Sequence, residues 1–237
     1  MLETSPRLFT RIAGLLWLIV IVTGSASMFV IHTPPLVSGD AAATFQAILN
    51  GAKVYRIELT IDLISSAAYA GVTMIFYLLL RPANGFVAAV AAGFGMVGVV
   101  IGLTNCAAHY GPLVLMTNAS QFGAFSPGQL QALAYAFIKI QNLALTIAMV
   151  FFGLQCFFNG TVVLRAGYFP WFLGVPLMAA GLAYLVNCVG SIWSPPLARA
   201  LFPVMAAAGF LGEGAMTLWL ILVGIDREKW LAATKPV

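Results

Sequence analysis

The chain has 237 residues, 62% of them hydrophobic and 8% charged, with a formal net charge of +4 and a mean hydropathy of +1.00. Soluble domains carry about 25% charged and roughly 45–50% apolar residues. The balance here excludes a water-soluble globule, a disordered chain and a nucleic-acid-binding domain, and it implies an all-α polytopic membrane protein.

A helix needs about 20 mostly apolar residues to cross a hydrocarbon core roughly 30 Å thick. The first such stretch is 12–31, preceded by Arg7 and Arg11 and containing Ser25-Ala26-Ser27, a small-residue pattern resembling a cleavage site. We expect an uncleaved membrane anchor there. Next, Asp40 is placed to cap a short helix over 41–50, with Phe45, Ile48 and Leu49 to one side, lying against the bundle surface. Spanning helices are predicted at about 57–80 and 86–108. Ser126-Pro127-Gly128-Gln129 then reads as a capping box with proline in the first turn. A helix from there through the fourth stretch, 137–159, outruns the membrane. The remaining stretches are 170–193 and 201–225, and the proline pairs at 34–35 and 195–196 read as non-helical turns. The whole chain, 1–237, is therefore read as a single transmembrane helical domain, a bundle of six transmembrane helices.

Orientation follows from the basic residues. Arg7, Arg11, Arg81, Arg165, Arg227, Lys229 and Lys235 fall on one side; Lys53, Arg56 and Arg199 fall on the other. Both termini are expected to be cytoplasmic in a multi-pass protein of the inner (plasma) membrane. Cys106, Cys156 and Cys188 each stand alone without CxxC spacing and read as small buried hydrophobes. Asn118 and Asn159 begin glycosylation-type tripeptides, and the second sits at a cytoplasmic helix end. Neither a phosphate-binding glycine loop nor a nucleophile elbow is present.

Polarity on the spanning helices is periodic. Glu58, Asp62, Ser65, Tyr69 and Thr73 follow spacings of three and four and share one face of the second. The third shows Gly95, Gly98, Gly102, Asn105 and His109; the fourth, Lys139, Asn142, Thr146 and Gly153. Tyr184, Asn187 and Ser191 lie on the fifth, and Gly209, Glu213 and Thr217 on the sixth. Small and hydroxylated residues at this spacing serve helix packing. Carboxylates do not: a charge at the bilayer centre costs about 2.5–3.5 kcal/mol even on lenient scales, and such groups usually mark function. Glu58, Asp62 and Glu213 outnumber Lys139 even when Arg56 folds inward. Protonation or a bound cation must restore the balance.

The expected site is a polar cavity in the outer half of the bundle, with Arg56, Glu58, Asp62, Tyr69, Asn105, Lys139, Asn142, Tyr184, Asn187 and Glu213 as ligand-binding candidates. It would hold a small ligand, a cation or a lipid headgroup. His32 and His109 end the first and third helices and are weak candidates for binding a metal or haem iron.

Arg11-Ile12-Ala13-Gly14, Gly39-Asp40-Ala41-Ala42-Ala43-Thr44 and Tyr55-Arg56 with Asp62 together resemble a family of bacterial membrane proteins. So do Phe125-Ser126-Pro127, Phe151-Phe152-Gly153-Leu154, Gly167-Tyr168-Phe169-Pro170, Gly181-Leu182-Ala183-Tyr184 and Gly212-Glu213. The family is known as domain of unknown function 4386, and the resemblance runs in order over nearly the whole chain. It implies a six-helix inner-membrane protein and brings no catalytic role. By that resemblance, members often carry a histidine in the fourth helix near where this chain has Gln141-Asn142.

The residues favour binding over catalysis, and no cofactor is specified. Two other functions compete with the cavity: an accessory subunit of a membrane complex, and a metal- or haem-dependent membrane enzyme. Expected partners are the bilayer, a small-molecule or lipid ligand, and either a homo-oligomer or a larger complex, but no nucleic acid.

Overall fold

The computed structural model describes residues 6–29, 37, 39–117 and 119–234. His32, the Pro34-Pro35 pair and Asn118 lie outside the described residues. All regular structure among them is helical: α1 (Pro6–Phe29), α2 (Ala41–Asn50), α3 (Ala52–Leu80), α4 (Gly85–Thr117), α5 (Pro127–Val163), α6 (Gly174–Trp193), α7 (Pro195–Leu222) and α8 (Arg227–Thr234). Six of these, α1 and α3 to α7, are long and apolar enough to span a membrane. The protein is a multi-pass membrane protein, and its outer faces meet lipid.

Local chemistry sets the helix ends. The Asp40 carboxylate caps α2 by accepting from the Ala43 amide at 2.8 Å. At α5, Ser126 Oγ accepts from the Gln129 amide while Gln129 Oε1 accepts from the Ser126 amide, completing the capping box. Two expectations need correction. The Pro195-Pro196 pair starts α7 instead of breaking the chain, because proline in a first turn gives up only an unused donor. α4 also runs on to Thr117 through Pro112, so His109 lies inside a helix and not at its end. The proline costs α4 one rung, leaving the Ala108 carbonyl without its intrahelical partner.

The spanning helices form a ring. Each packs against the next in the order α1, α3, α4, α5, α6, α7, and α7 returns to α1. Trp17, Val72, Phe76, Leu177, Met216 and Leu220 fill the interior. α5 and α6 meet through glycine: a methyl group at Gly160 would stand 2.7 Å from the Gly174 carbonyl oxygen, and one at Gly153 would stand 2.9 Å from that of Gly181. Backbones this close pack efficiently where lipid provides no hydrophobic drive for helices to associate.

At one end, which we call the α8 end, three segments are knitted together. The Tyr168 hydroxyl and the Trp230 indole N–H both donate to the Leu79 carbonyl, at 2.8 and 3.0 Å. The Asp226 amide donates to the Tyr168 carbonyl at 3.1 Å. Burial pushes the Tyr168 phenol upward, so it stays a neutral donor. α7 stops at Gly224 (φ 79), a left-handed turn that favours glycine, and the Gly224 carbonyl accepts from Trp219 Nε1 at 2.8 Å. α2 lies at the opposite end, with Ile48 packed near Tyr55 and Leu113.

Candidate functional site

The inward polar stripe of α3 serves two separate layers. The first is centred on Glu213, which is buried on α7. Its Oε2 accepts from Trp17 Nε1 at 3.1 Å, and its Oε1 from Cys156 Sγ at 3.5 Å. Tyr69 and Tyr184 stand beside the carboxyl group, close enough to interact with it electrostatically. Five helices thus converge on one side chain. Counted at 1.5 Å per residue, these residues lie about 11–17 Å from their helix ends on the α8 side, near the middle of a roughly 30 Å core. Gly209 leaves room for the Tyr184 hydroxyl, since a Cβ there would collide with it.

The second layer lies about 27–36 Å from the same ends, at the far boundary of the core. Here His109, 1% exposed, sits between two carboxylates of α3. Its Nδ1 is 2.8 Å from Asp62 Oδ2, and its Nε2 is 4.0 Å from Glu58 Oε2. Nε2 is buried and makes no hydrogen bond. Tyr55 fixes the imidazole from a third side: the rings meet edge to face at 4.6 Å, and the Tyr55 hydroxyl donates to the His109 carbonyl at 2.8 Å. One turn below, the buried Asn105 Oδ1 also has no hydrogen bond. The Asp62 side chain is 37% exposed, unlike the buried His109.

A third polar contact joins the helices at about the depth of the first layer. Gln155 Nε2 donates to Thr73 Oγ1 at 3.0 Å, and Gly95 makes the space that the Gln155 amide occupies.

The residues singled out in the sequence therefore separate. Glu58, Asp62 and Asn105 lie near His109, whereas Tyr69 and Tyr184 surround Glu213. Arg56 and Asn142 are exposed. Lys139 is exposed too and sits over the Tyr135 ring at 5.3 Å. Asn187 serves the α6–α7 turn, donating to the Ala198 carbonyl at 2.7 Å. Sequence reasoning gave no site role to Trp17, Tyr55, Cys156 or Gln155. Tyr55 and Cys156 carried a periodic signal, Tyr55 three residues before Glu58 and Cys156 three residues after Gly153 on their stripes. Among the described residues, no group of three or more His, Cys, Asp or Glu side chains is gathered to hold a metal ion. His109 instead turns its nitrogens toward carboxylates, and His32 lies outside the described residues.

Compared with known proteins, residues 12–224 match a family model described as a domain of unknown function, DUF4386. Neither the curated proteins nor the solved structures return a match.

Proposed function

The chain belongs to the DUF4386 family of domains of unknown function, and from that premise we propose that it is a bacterial inner-membrane binding protein for a small cationic ligand. Both termini face the cytoplasm in this reading, and the chain forms one helical domain. The ligand enters from outside and meets Glu58, Asp62 and His109. The observation that carries the reading is the buried imidazole, with one nitrogen bonded to Asp62 and the other unbonded 4.0 Å from Glu58. Two carboxylates and an unsatisfied nitrogen at the membrane boundary favour a group that brings positive charge and N–H donors, such as a protonated amine. Half-exposed Asp62 supplies the access.

The test is thermal unfolding of nanodisc-embedded protein in the presence of sodium, potassium, ethylammonium or ethanolamine. A ligand that binds only the folded state adds about 2.7 kcal/mol of stability at a hundredfold excess over Kd. We expect one of the amines to raise the melting temperature saturably, and Asp62→Asn to abolish the rise. Lys139→Gln should leave it intact. If none of the four probes separates the wild type from Asp62→Asn, the reading is wrong.

A further inference from the structure

The α8 end holds a feature that the cation site does not use. The 164–170 loop, the end of α7 and the start of α8 border an open groove of about 690 Å³ that reaches the first turn of α1. We propose that this groove binds the phosphate headgroup of an anionic phospholipid, with Arg7 and Arg227 as the cations that hold it.

The groove is built into the fold. Its floor includes Tyr168 and Phe169, both buried, and its walls are tied by the bonds from Asp226 to Tyr168 and from Tyr168 to Leu79. Its charges are unequally committed. Asp226 caps α8 by accepting from the amides of Glu228 and Lys229, and its other oxygen pairs with Lys229 Nζ at 3.5 Å. The Lys229 amide and ammonium hold the Asp226 carboxyl below its usual range, so it stays ionised beside Lys229. Arg7 and Arg227 are exposed and make no ion pair among the described residues, and only Glu228 opposes them at the rim. Two guanidiniums present planar forks that match phosphate oxygens.

The other edge of the groove faces lipid. Trp219 lines it and meets Phe172 edge to face at 5.9 Å. Val223 lines it too, and with the adjacent Leu222 it is more than half exposed. Aromatic rings at this level are characteristic of the membrane interface. A free phosphate ion gains nothing from such an edge, whereas a phospholipid lays its glycerol and first methylenes along it.

The experiment is native mass spectrometry of the full-length protein, released from vesicles of phosphatidylglycerol and phosphatidylcholine in equal amounts. The wild type should retain phosphatidylglycerol selectively. Each basic residue near a membrane surface strengthens anionic lipid binding about fivefold, so Arg7→Gln with Arg227→Gln should lower retention roughly thirtyfold. Arg7→Lys with Arg227→Lys should keep most of it, and Arg199→Gln, near the start of α7 at the opposite end, should change nothing. Equal retention by the Gln pair and the wild type would overturn the proposal. So would binding of glycerol phosphate to delipidated protein as strong as that of the lipid, because the ligand would then be a soluble anion. The cation-binding test uses Asp62 at the other end of the bundle, so either idea can fail without the other.

Discussion

Glu213 is held by donors that come from other helices, and this makes it a structural joint whatever else it does. A carboxyl group at mid-depth is tolerable only where N–H, S–H or O–H groups replace the water it has lost. Trp17 contributes the indole N–H and Cys156 the thiol. Trp17→Phe keeps the ring's bulk and removes the donor, and should cost about 1–3 kcal/mol. Glu213→Gln should cost a similar amount, since an amide reproduces one acceptor and turns a donor toward the other partner. The two should not add: a double-mutant cycle read by unfolding in mixed micelles should give a coupling of about 0.5–3 kcal/mol. Strict additivity would mean the indole and carboxyl group do not share a bond. The Glu213 and Tyr184 stripes were legible because periodicity belongs to a single helix. Trp17 was not, because it meets Glu213 across 196 residues and no spacing records that.

Among the elements, the α5–α6 pair depends most on residue size. Gly160 and Gly153 face Gly174 and Gly181, and each added methyl would press on backbone, which cannot turn aside as a side chain can. Gly160→Ala should therefore destabilise by about 1–3 kcal/mol. A methyl group at Gly93 on α4 would meet nothing within 4 Å, so Gly93→Ala should be neutral or raise stability by about 0.5–1 kcal/mol through helix propensity. Thermal melts of both variants check the contrast, and equal losses would show that these glycines act through backbone freedom and not through contact. The existence of the spanning helices was legible from hydropathy, whereas some of their ends were not. Ala108-His109-Tyr110-Gly111-Pro112 reads as a stop, yet α4 continues through the buried Pro112, with Gly111 packed against Phe137 of α5. That continuation carries His109 to its place between Asp62 and Glu58.

For the whole molecule, composition placed the chain in the membrane and the six long apolar stretches made it a helical bundle, since a helix satisfies its own backbone in lipid. The order of packing could not be read in the same way. Hydropathy says which segments enter lipid, but the choice of neighbours rests on glycine contacts and buried donors spread over distant segments. The closing of α7 onto α1 is the clearest case, set by Trp17 with Glu213 and by Gly14 packed tightly against Ile221. Closure has a further consequence. When the first and sixth spans are neighbours and the chain enters and leaves at one end, the linear order of the helices is a matter of where the string happens to be cut. A circular permutant opened in the 82–84 turn, with residue 234 joined to residue 6 through a flexible linker, should insert and melt like the parent. Failure of the permutant to fold would show that the order of insertion, and not the set of final contacts, governs how this ring is assembled.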